Sequence, residues 1–154
     1  MIYVDADACP VRAEAEAVAI RSGVPLVHVS NGGIRPSAHP LISNRYVDSG
    51  PDEADKWIAE ACGPGDVVVT ADIPLAARAV EAGALAVKPN GETLTHRNVG
   101  QALAARDLAA DLRAADPFRQ GGGRPFSKAD RTRFKDALDR ALRAATSGAK
   151  GHQP

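Results

Sequence analysis

Asp5 and Asp7 stand two residues apart in the opening stretch Met1-Ile-Tyr-Val-Asp-Ala-Asp-Ala-Cys-Pro10. The run before them, Ile2 to Val4, is β-branched and aromatic and reads as a short buried strand, so the pair falls where that strand ends. If the strand persists, a spacing of two puts both carboxylates on one face. Asp72 follows a second apolar run, Asp66-Val-Val-Val-Thr70, and Asp55 lies on an amphipathic segment between the two. In an open α/β sheet, ligands bind in the crevice outside the carboxyl ends of the strands, which is where Asp5, Asp7 and Asp72 belong. Carboxylates gathered there repel one another, and the usual counter-charge is a hard cation with oxygen ligands, Mg²⁺ or Mn²⁺. The competing reading makes each aspartate a helix cap or a solvated surface group. Recurrence favours the cation: two strand–Asp–helix junctions, with Pro10 and Pro74 in the first helical turns, repeat one arrangement, and Asp55 supplies a further acid.

The elements that must position these groups follow from patterning. Val11 to Ser22 predicts a helix closed by Gly23 and Pro25, and Pro25 to Val29 a second buried strand, giving a β-α-β unit with a right-handed crossover. Residues 30–40 are a glycine- and proline-punctuated connection in which Asn31 suits a turn or a ligand contact. Arg45 to Val47 reads as a short strand. Asp52 to Cys62 is a helix with Ala54, Ile58 and Ala61 on one stripe and Trp57 beside it. Asp66 to Thr70 is apolar enough to be central in a parallel sheet, with a helix from Pro74 to Gly83 and a fifth strand from Ala84 to Val87. A helix over 98–115 turns Val99, Leu103, Leu108 and Leu112 inward, and Pro117 with 121–123 makes a joint. Ser127-Lys-Ala-Asp130 resembles a capping box opening a basic last helix, about 127–147, with Phe134, Leu138 and Leu142 as its apolar stripe. Residues 148–154 read as a disordered tail. The result is one α/β domain over 1–147, with a mostly parallel five-stranded sheet in which Ile2 to Val4 and Val67 to Val69 are adjacent inner strands.

Composition narrows the function classes. Hydrophobic residues make up 44% and charged residues 25% of the 154, as in ordinary soluble domains. No apolar run reaches the roughly 18 residues of a membrane span, and the opening residues lack the features of a signal peptide, so the chain reads as cytoplasmic. The two cysteines, Cys9 and Cys62, are too far apart for a metal-binding pair and should stay reduced, although Cys9 near a helix start is a candidate for a reactive thiol. The net charge of zero hides a gradient: residues 1–60 hold nine acids against five bases, residues 116–154 four against nine. An acidic first part and a basic last part suit a metal centre that meets a polyanion.

Taken together, Asp5-Ala-Asp-Ala-Cys-Pro10, Gly65-Asp-Val-Val-Val-Thr-Ala-Asp-Ile-Pro-Leu-Ala76 and Gly122-Gly-Arg-Pro-Phe126 followed by Asp130-Arg131 resemble the YaiI/YqxD family of bacterial proteins over about residues 1 to 143. Gly123 stands where that family is expected to favour a proline. The resemblance implies a PIN-like nuclease fold, a three-layer α/β/α sheet gathering acids around Mg²⁺ or Mn²⁺, with Asp5, Asp7, Asp55 and Asp72 as the implied cluster.

The leading functional expectation is metal-dependent phosphodiester hydrolysis of RNA or single-stranded nucleic acid, with cations held by the four aspartates activating water and neutralising the leaving oxygen. His28, His39, His96 and His152 lack metal-ligand spacing and read as structural or exposed. Asn31 and Thr70 are placed to touch substrate, and Arg78, Arg97, Arg106 and the last helix with Lys128 and Arg131 to meet phosphates. Aromatic residues total 4%, which leaves little for base stacking. Two alternatives remain. One is a non-catalytic module that binds metal or nucleic acid. The other is a phosphatase of the haloacid dehalogenase type with Asp5 as nucleophile, against which Cys9-Pro10 and the lack of paired acids after the fourth strand both count.

Overall fold

The computed structural model describes residues 1–50, 52–115 and 126–151. It is a mixed α/β structure whose six-stranded sheet has the order β3-β2-β1-β4-β5-β6. The strands are β1 (Ile2–Asp5), β2 (Leu26–Ser30), β3 (Ile42–Tyr46), β4 (Val67–Val69), β5 (Leu85–Val87) and β6 (Thr93–Leu94). Among the described residues the α-helices are α1 (Arg12–Ser22), α2 (Glu53–Ala61), α3 (Ile73–Glu81), α4 (Val99–Ala115) and α5 (Lys128–Gly151). Strands β1 to β5 are parallel to their neighbours, and β6 alone pairs antiparallel with β5. As the apolar patterning predicts, β1 and β4 are adjacent and internal, with Ile2, Val4 and all three residues of β4 fully buried.

Alternation along β1 divides the core. Ile2 and Val4 pack with Ala15 and Val18 of α1 and with Phe134, Leu138 and Leu142 of α5. Tyr3 packs the other way, with Val68, Ala54 and Ile58 of α2 and Leu75 and Ala79 of α3. Each of the larger side chains contributes about 1.5–3 kcal/mol by leaving water, so α5 is held chiefly by its apolar stripe. The capping box forms as its sequence predicts: the Asp130 N–H donates to Ser127 Oγ at 3.1 Å, and the Ser127 N–H donates to Asp130 Oδ2 at 3.0 Å. Gly23, at φ 69°, closes α1 in the left-handed conformation that a glycine adopts without strain.

Several expectations need correction. The sheet has a sixth strand because Lys88 to Gly91 is a hairpin turn, its Gly91 N–H donating to the Lys88 carbonyl at 2.9 Å, and a two-residue strand leaves no periodicity to read. β3 runs earlier than Arg45 to Val47; as an edge strand it carries Ser43, Asn44 and Arg45, which mask the pattern. Pro10 is not in the first turn of α1. A 3-10 turn over Ala6–Ala8 follows β1, and Val11 occupies the N-cap. Ala61 and Leu108 are exposed rather than inward, and α4 meets the core through Ala102 and Leu103. The last helix continues to Gly151, past the boundary read at 147, while the joint over 116–125 and the side chain of Leu112 lie outside the described residues. Among the described residues no helix is long and apolar enough to cross a membrane.

Arg131 ties α5 to the start of α1, its Nη1 donating to the Pro10 carbonyl and to Glu14 Oε1, both at 3.0 Å. Removing it leaves a half-buried carboxylate without its partner. Arg131→Gln is therefore expected to cost about 1 kcal/mol, roughly 2–4 °C in Tm for a chain of this size. Thermal unfolding checks this, and an unchanged Tm would mean the tether adds nothing to the apolar stripe.

Candidate acidic site at the carboxyl ends of the strands

Asp5 ends β1 and Asp72 follows β4, and Thr70 links them. The buried Thr70 hydroxyl donates to Asp5 Oδ2 at 3.0 Å, and its oxygen accepts the Asp72 N–H at 3.0 Å. The Thr70 backbone N–H is fixed on the Val87 carbonyl at 3.2 Å. Thr70, expected to touch substrate, is thus a bridge within the acid cluster. Asp72 is also the N-cap of α3, Oδ1 accepting the Leu75 N–H at 3.0 Å with Pro74 in the first turn, so the capping role is real and occupies one of its two carboxylate oxygens.

Asp7 reaches the site differently from the strand-alternation expectation. The chain leaves β1 at Asp5, and Asp7 sits exposed in the 3-10 turn, its carboxylate accepting the Asn31 N–H at 3.1 and 3.3 Å. Asn31, expected at a ligand, serves through its backbone to hold Asp7. Asp55 is carried in by α2, which Ala54 and Ile58 bury against the Tyr3 face. Trp57 fixes the helix further, lying 6.0 Å from the Tyr3 ring and 5.4 Å beneath the Arg45 guanidinium.

The electrostatics show which acids sense one another. Burial pushes the Asp55 carboxyl up to about 7, helped by the charge of Asp72, by a hydrogen bond shared with it, and by Asp5 and Asp52. Asp5 is raised first by burial, which the Thr70 hydroxyl opposes and the charges of Asp72 and Asp7 reinforce. Asp5 and Asp72 thus both act on Asp55, and Asp7 acts on Asp5. Among the described residues, no set of three or more His, Cys, Asp and Glu side chains is arranged to hold a metal ion. The carboxylates of Asp5, Asp7 and Asp72 instead accept from the Thr70 hydroxyl and two backbone N–H groups. The donor set is all carboxylate oxygen, which fits Mg²⁺ or Mn²⁺ and not a softer ion.

The bases expected to meet phosphates are dispersed. Arg78 on α3, Arg97 after β6 and Lys128 at the start of α5 are exposed, Arg106 lies 3.4 Å from Asp107, and Arg131 is taken up by Glu14 and Pro10. Among the described residues none of them hydrogen-bonds the four aspartates. Cys9 is not a reactive thiol: it is buried, and burial pushes its pKa up to about 11. His39 is structural, its Nδ1 accepting the Leu41 N–H at 3.1 Å.

Comparison with known proteins places this arrangement in a lineage. The family described as uncharacterised bacterial proteins of the YaiI/YqxD family matches residues 3–144, and so includes all four aspartates and Thr70. A UPF0178 protein of Cereibacter sphaeroides is 70% identical over 149 residues, 97% of this chain and 92% of that protein. UPF0178 proteins of Roseobacter denitrificans, 65% identical over 96% of this chain and 98% of theirs, and Parvibaculum lavamentivorans, 52% identical over 93% of each, are similar across the same span. No solved structure matches the chain. With the match running from β1 through most of α5, the chain belongs to the YaiI/YqxD family.

Proposed function

We propose that the protein is a Mg²⁺- or Mn²⁺-dependent phosphodiesterase acting on RNA or single-stranded nucleic acid, with a PIN-like three-layer α/β/α architecture. The observation that carries this is the gathering of Asp5, Asp55 and Asp72, with Asp7 beside them, at the carboxyl ends of β1 and β4, where Asp55 retains a proton to about pH 7. Asp5 and Asp72 are the principal holders of the cation, Thr70 positions both, and Asp55 and Asp7 complete the set. A bound divalent ion supplies charge neutralisation of the phosphate and lowers the pKa of a water nucleophile. The protein's own part is to release the Asp55 proton as the ion is taken up, so affinity rises with pH through about 7.

Incubation of a fluorescently labelled single-stranded RNA with the protein and Mn²⁺ tests the reading. The expected result is cleavage that EDTA stops. Mn²⁺ binding without cleavage of any nucleic acid would replace the enzyme by a binding module. Phosphate release from p-nitrophenyl phosphate with formation of an aspartyl-phosphate would replace it by the phosphatase with Asp5 as nucleophile.

The position of α5 refines the expected phosphate contacts. Its first turns lie by Pro10 and Gly91, at the carboxyl end of the sheet, whereas Asp139 pairs with Arg21 at the far end of α1 at 3.7 Å. Arg140 is twelve residues on from Lys128, about 18 Å along the helix. Lys128→Gln is therefore expected to weaken RNA binding and lower the salt slope by about 0.7, and Arg140→Gln to leave both unchanged. Salt titrations of binding check this, and equal effects of the two substitutions would refute the gradient.

A further inference from the structure

The two edges of the sheet are finished differently. At one edge β6 is two residues long, and its Thr93 carbonyl accepts from Asn98 Nδ2 at 2.9 Å. At the other edge β3 is five residues long. The Leu41 carbonyl accepts the Leu26 N–H at 2.9 Å and the Val47 N–H donates to the Ser30 carbonyl at 2.9 Å, so the odd-numbered residues turn their backbone groups to β2. By alternation the N–H and C=O groups of Asn44 and Tyr46 face outward, and among the described residues no backbone group pairs with them on that side. An open edge is a template for a further strand unless something blocks it. β3 has no proline and no bulge, and its one charged side chain, Arg45, is folded over the Trp57 ring, 5.4 Å from its centroid.

The side chains beside this edge define the strand that fits it. A groove of about 380 Å³ runs between β3 and α2, with Arg45, Trp57 and Glu60 among its walls. Lys56 lies 3.8 Å from Glu53, whereas Arg45 and Glu60 are exposed and form no ion pair among the described residues. On the other face of the edge Tyr46 is 51% exposed. An added strand therefore needs a base on the α2 side and an apolar neighbour on the other, which is the pair Arg45-Tyr46 that β3 itself carries. We propose that β3 pairs antiparallel with β3 of a second copy about a two-fold axis at Asn44, each Arg45 meeting Glu60 of the other copy. In this register the two Asn44 residues exchange N–H to carbonyl bonds, the Tyr46 N–H reaches the Ile42 carbonyl of the second copy, and Arg45 stands opposite Ser43. The incoming Arg45 then lies about 6.5 Å nearer the amino end of the sheet than the resident one. α2 starts beside Gly50 and runs back along β3, and Glu60 is one turn past Trp57, about 4.5 Å towards the same end. Guanidinium and carboxylate so stand at similar heights. An axis at Arg45 would set the two arginines face to face, and one at Tyr46 would carry each away from Glu60. The contact is isologous, as a two-fold dimer requires, and owes nothing to chemistry at the acidic site.

Sedimentation equilibrium of the full chain tests the dimer, and at micromolar concentration it is expected to give the mass of two chains. Arg45→Glu and Glu60→Arg each set like charges opposite one another and are each expected to weaken the dimer at least about tenfold. In an equimolar mixture of the two variants every contact again joins an acid to a base, so the mixture is expected to regain the parent's affinity. Asn44→Pro removes an edge-facing N–H and no bond to β2, and is expected to leave a monomer whose far-UV circular dichroism matches the parent's. Both charge changes are at exposed positions, so the exchange decides the matter even where the proline variant does not fold. A parent that stays monomeric up to millimolar concentration, charge variants that associate like the parent, a mixture no better associated than either variant alone, or a folded Asn44→Pro dimer of parent affinity would each overturn the proposal. Failure of Mn²⁺-dependent cleavage would leave it standing.

Discussion

Asp72→Asn and Asp5→Asn are each expected to reduce Mn²⁺-dependent RNA cleavage by at least about 100-fold, and to weaken Mn²⁺ binding measured by calorimetry in parallel. Asn keeps the shape of the side chain and removes one negative charge from a cluster whose members already oppose one another's ionisation. In Asp72→Asn the side-chain oxygen still accepts the Leu75 N–H, so α3 keeps its cap and the loss reads on charge rather than on the helix. Thr70 acts through the two acids it bridges. Thr70→Val removes the hydroxyl at constant shape and is expected to cost about 10–100-fold in Mn²⁺ affinity, the usual scale for a group that orients a ligand from behind. Thr70→Ser restores the hydroxyl and should restore the affinity, an outcome that a purely packing role for Thr70 does not give. Parent-like Mn²⁺ affinity in both Asn variants would remove the cation from the site altogether.

What was legible in the sequence is what one chain segment specifies alone. β1 and β4 were readable as inner neighbours because Ile2 to Val4 and Val67 to Val69 are apolar on both faces, as strands covered on both sides must be. The α5 stripe and its capping box were readable because helical periodicity and a reciprocal cap are local. Pairings across the chain were not. Arg131 reads as one more base on a basic helix, and nothing local says that Glu14, 117 residues earlier, has claimed it. The Asp5–Thr70–Asp72 bridge has the same character: the three residue types were visible, and the hydroxyl between them was not. Asp7 was misplaced because the strand stops at Asp5, and a three-residue turn breaks the alternation on which a shared face depends. His28 did leave a signal. A lone histidine inside Leu26-Val-His-Val29 must bury its ring, and Arg12 and Glu16, four apart on α1, share the helix face that could meet it.

The same acid cluster makes stability depend on pH in a direction opposite to that of an ordinary salt-bridged carboxylate. The Asp55 carboxyl is raised from 3.8 to about 7, and Asp5 is raised as well, so between about pH 4 and 7 the folded chain holds protons that the unfolded chain has released. Stability falls with rising pH wherever the native state binds more protons, so this contribution is full below pH 4 and is lost as pH climbs through 7. His28 works in reverse: its pKa is lowered from 6.5 by burial, so the unfolded chain binds the extra proton and stability from this group falls as pH drops below 6.5. A pH scan of the parent mixes the two, and the comparison that isolates the aspartate is parent against Asp55→Asn at each pH. Asp55 is partly exposed, and solvent screening removes much of what its shift alone implies. Without divalent ions at pH 8, Asp55→Asn is expected to stabilise the protein by about 2 kcal/mol, roughly 4–8 °C in Tm, and at pH 4 to change it little. Millimolar Mn²⁺ should raise the Tm of the parent at pH 8 towards that of the cation-free variant, because the ion relieves the repulsion that the amide abolishes. A Tm difference between parent and Asp55→Asn that is the same at pH 4 and pH 8 would show that Asp55 carries no repulsion for a cation to relieve.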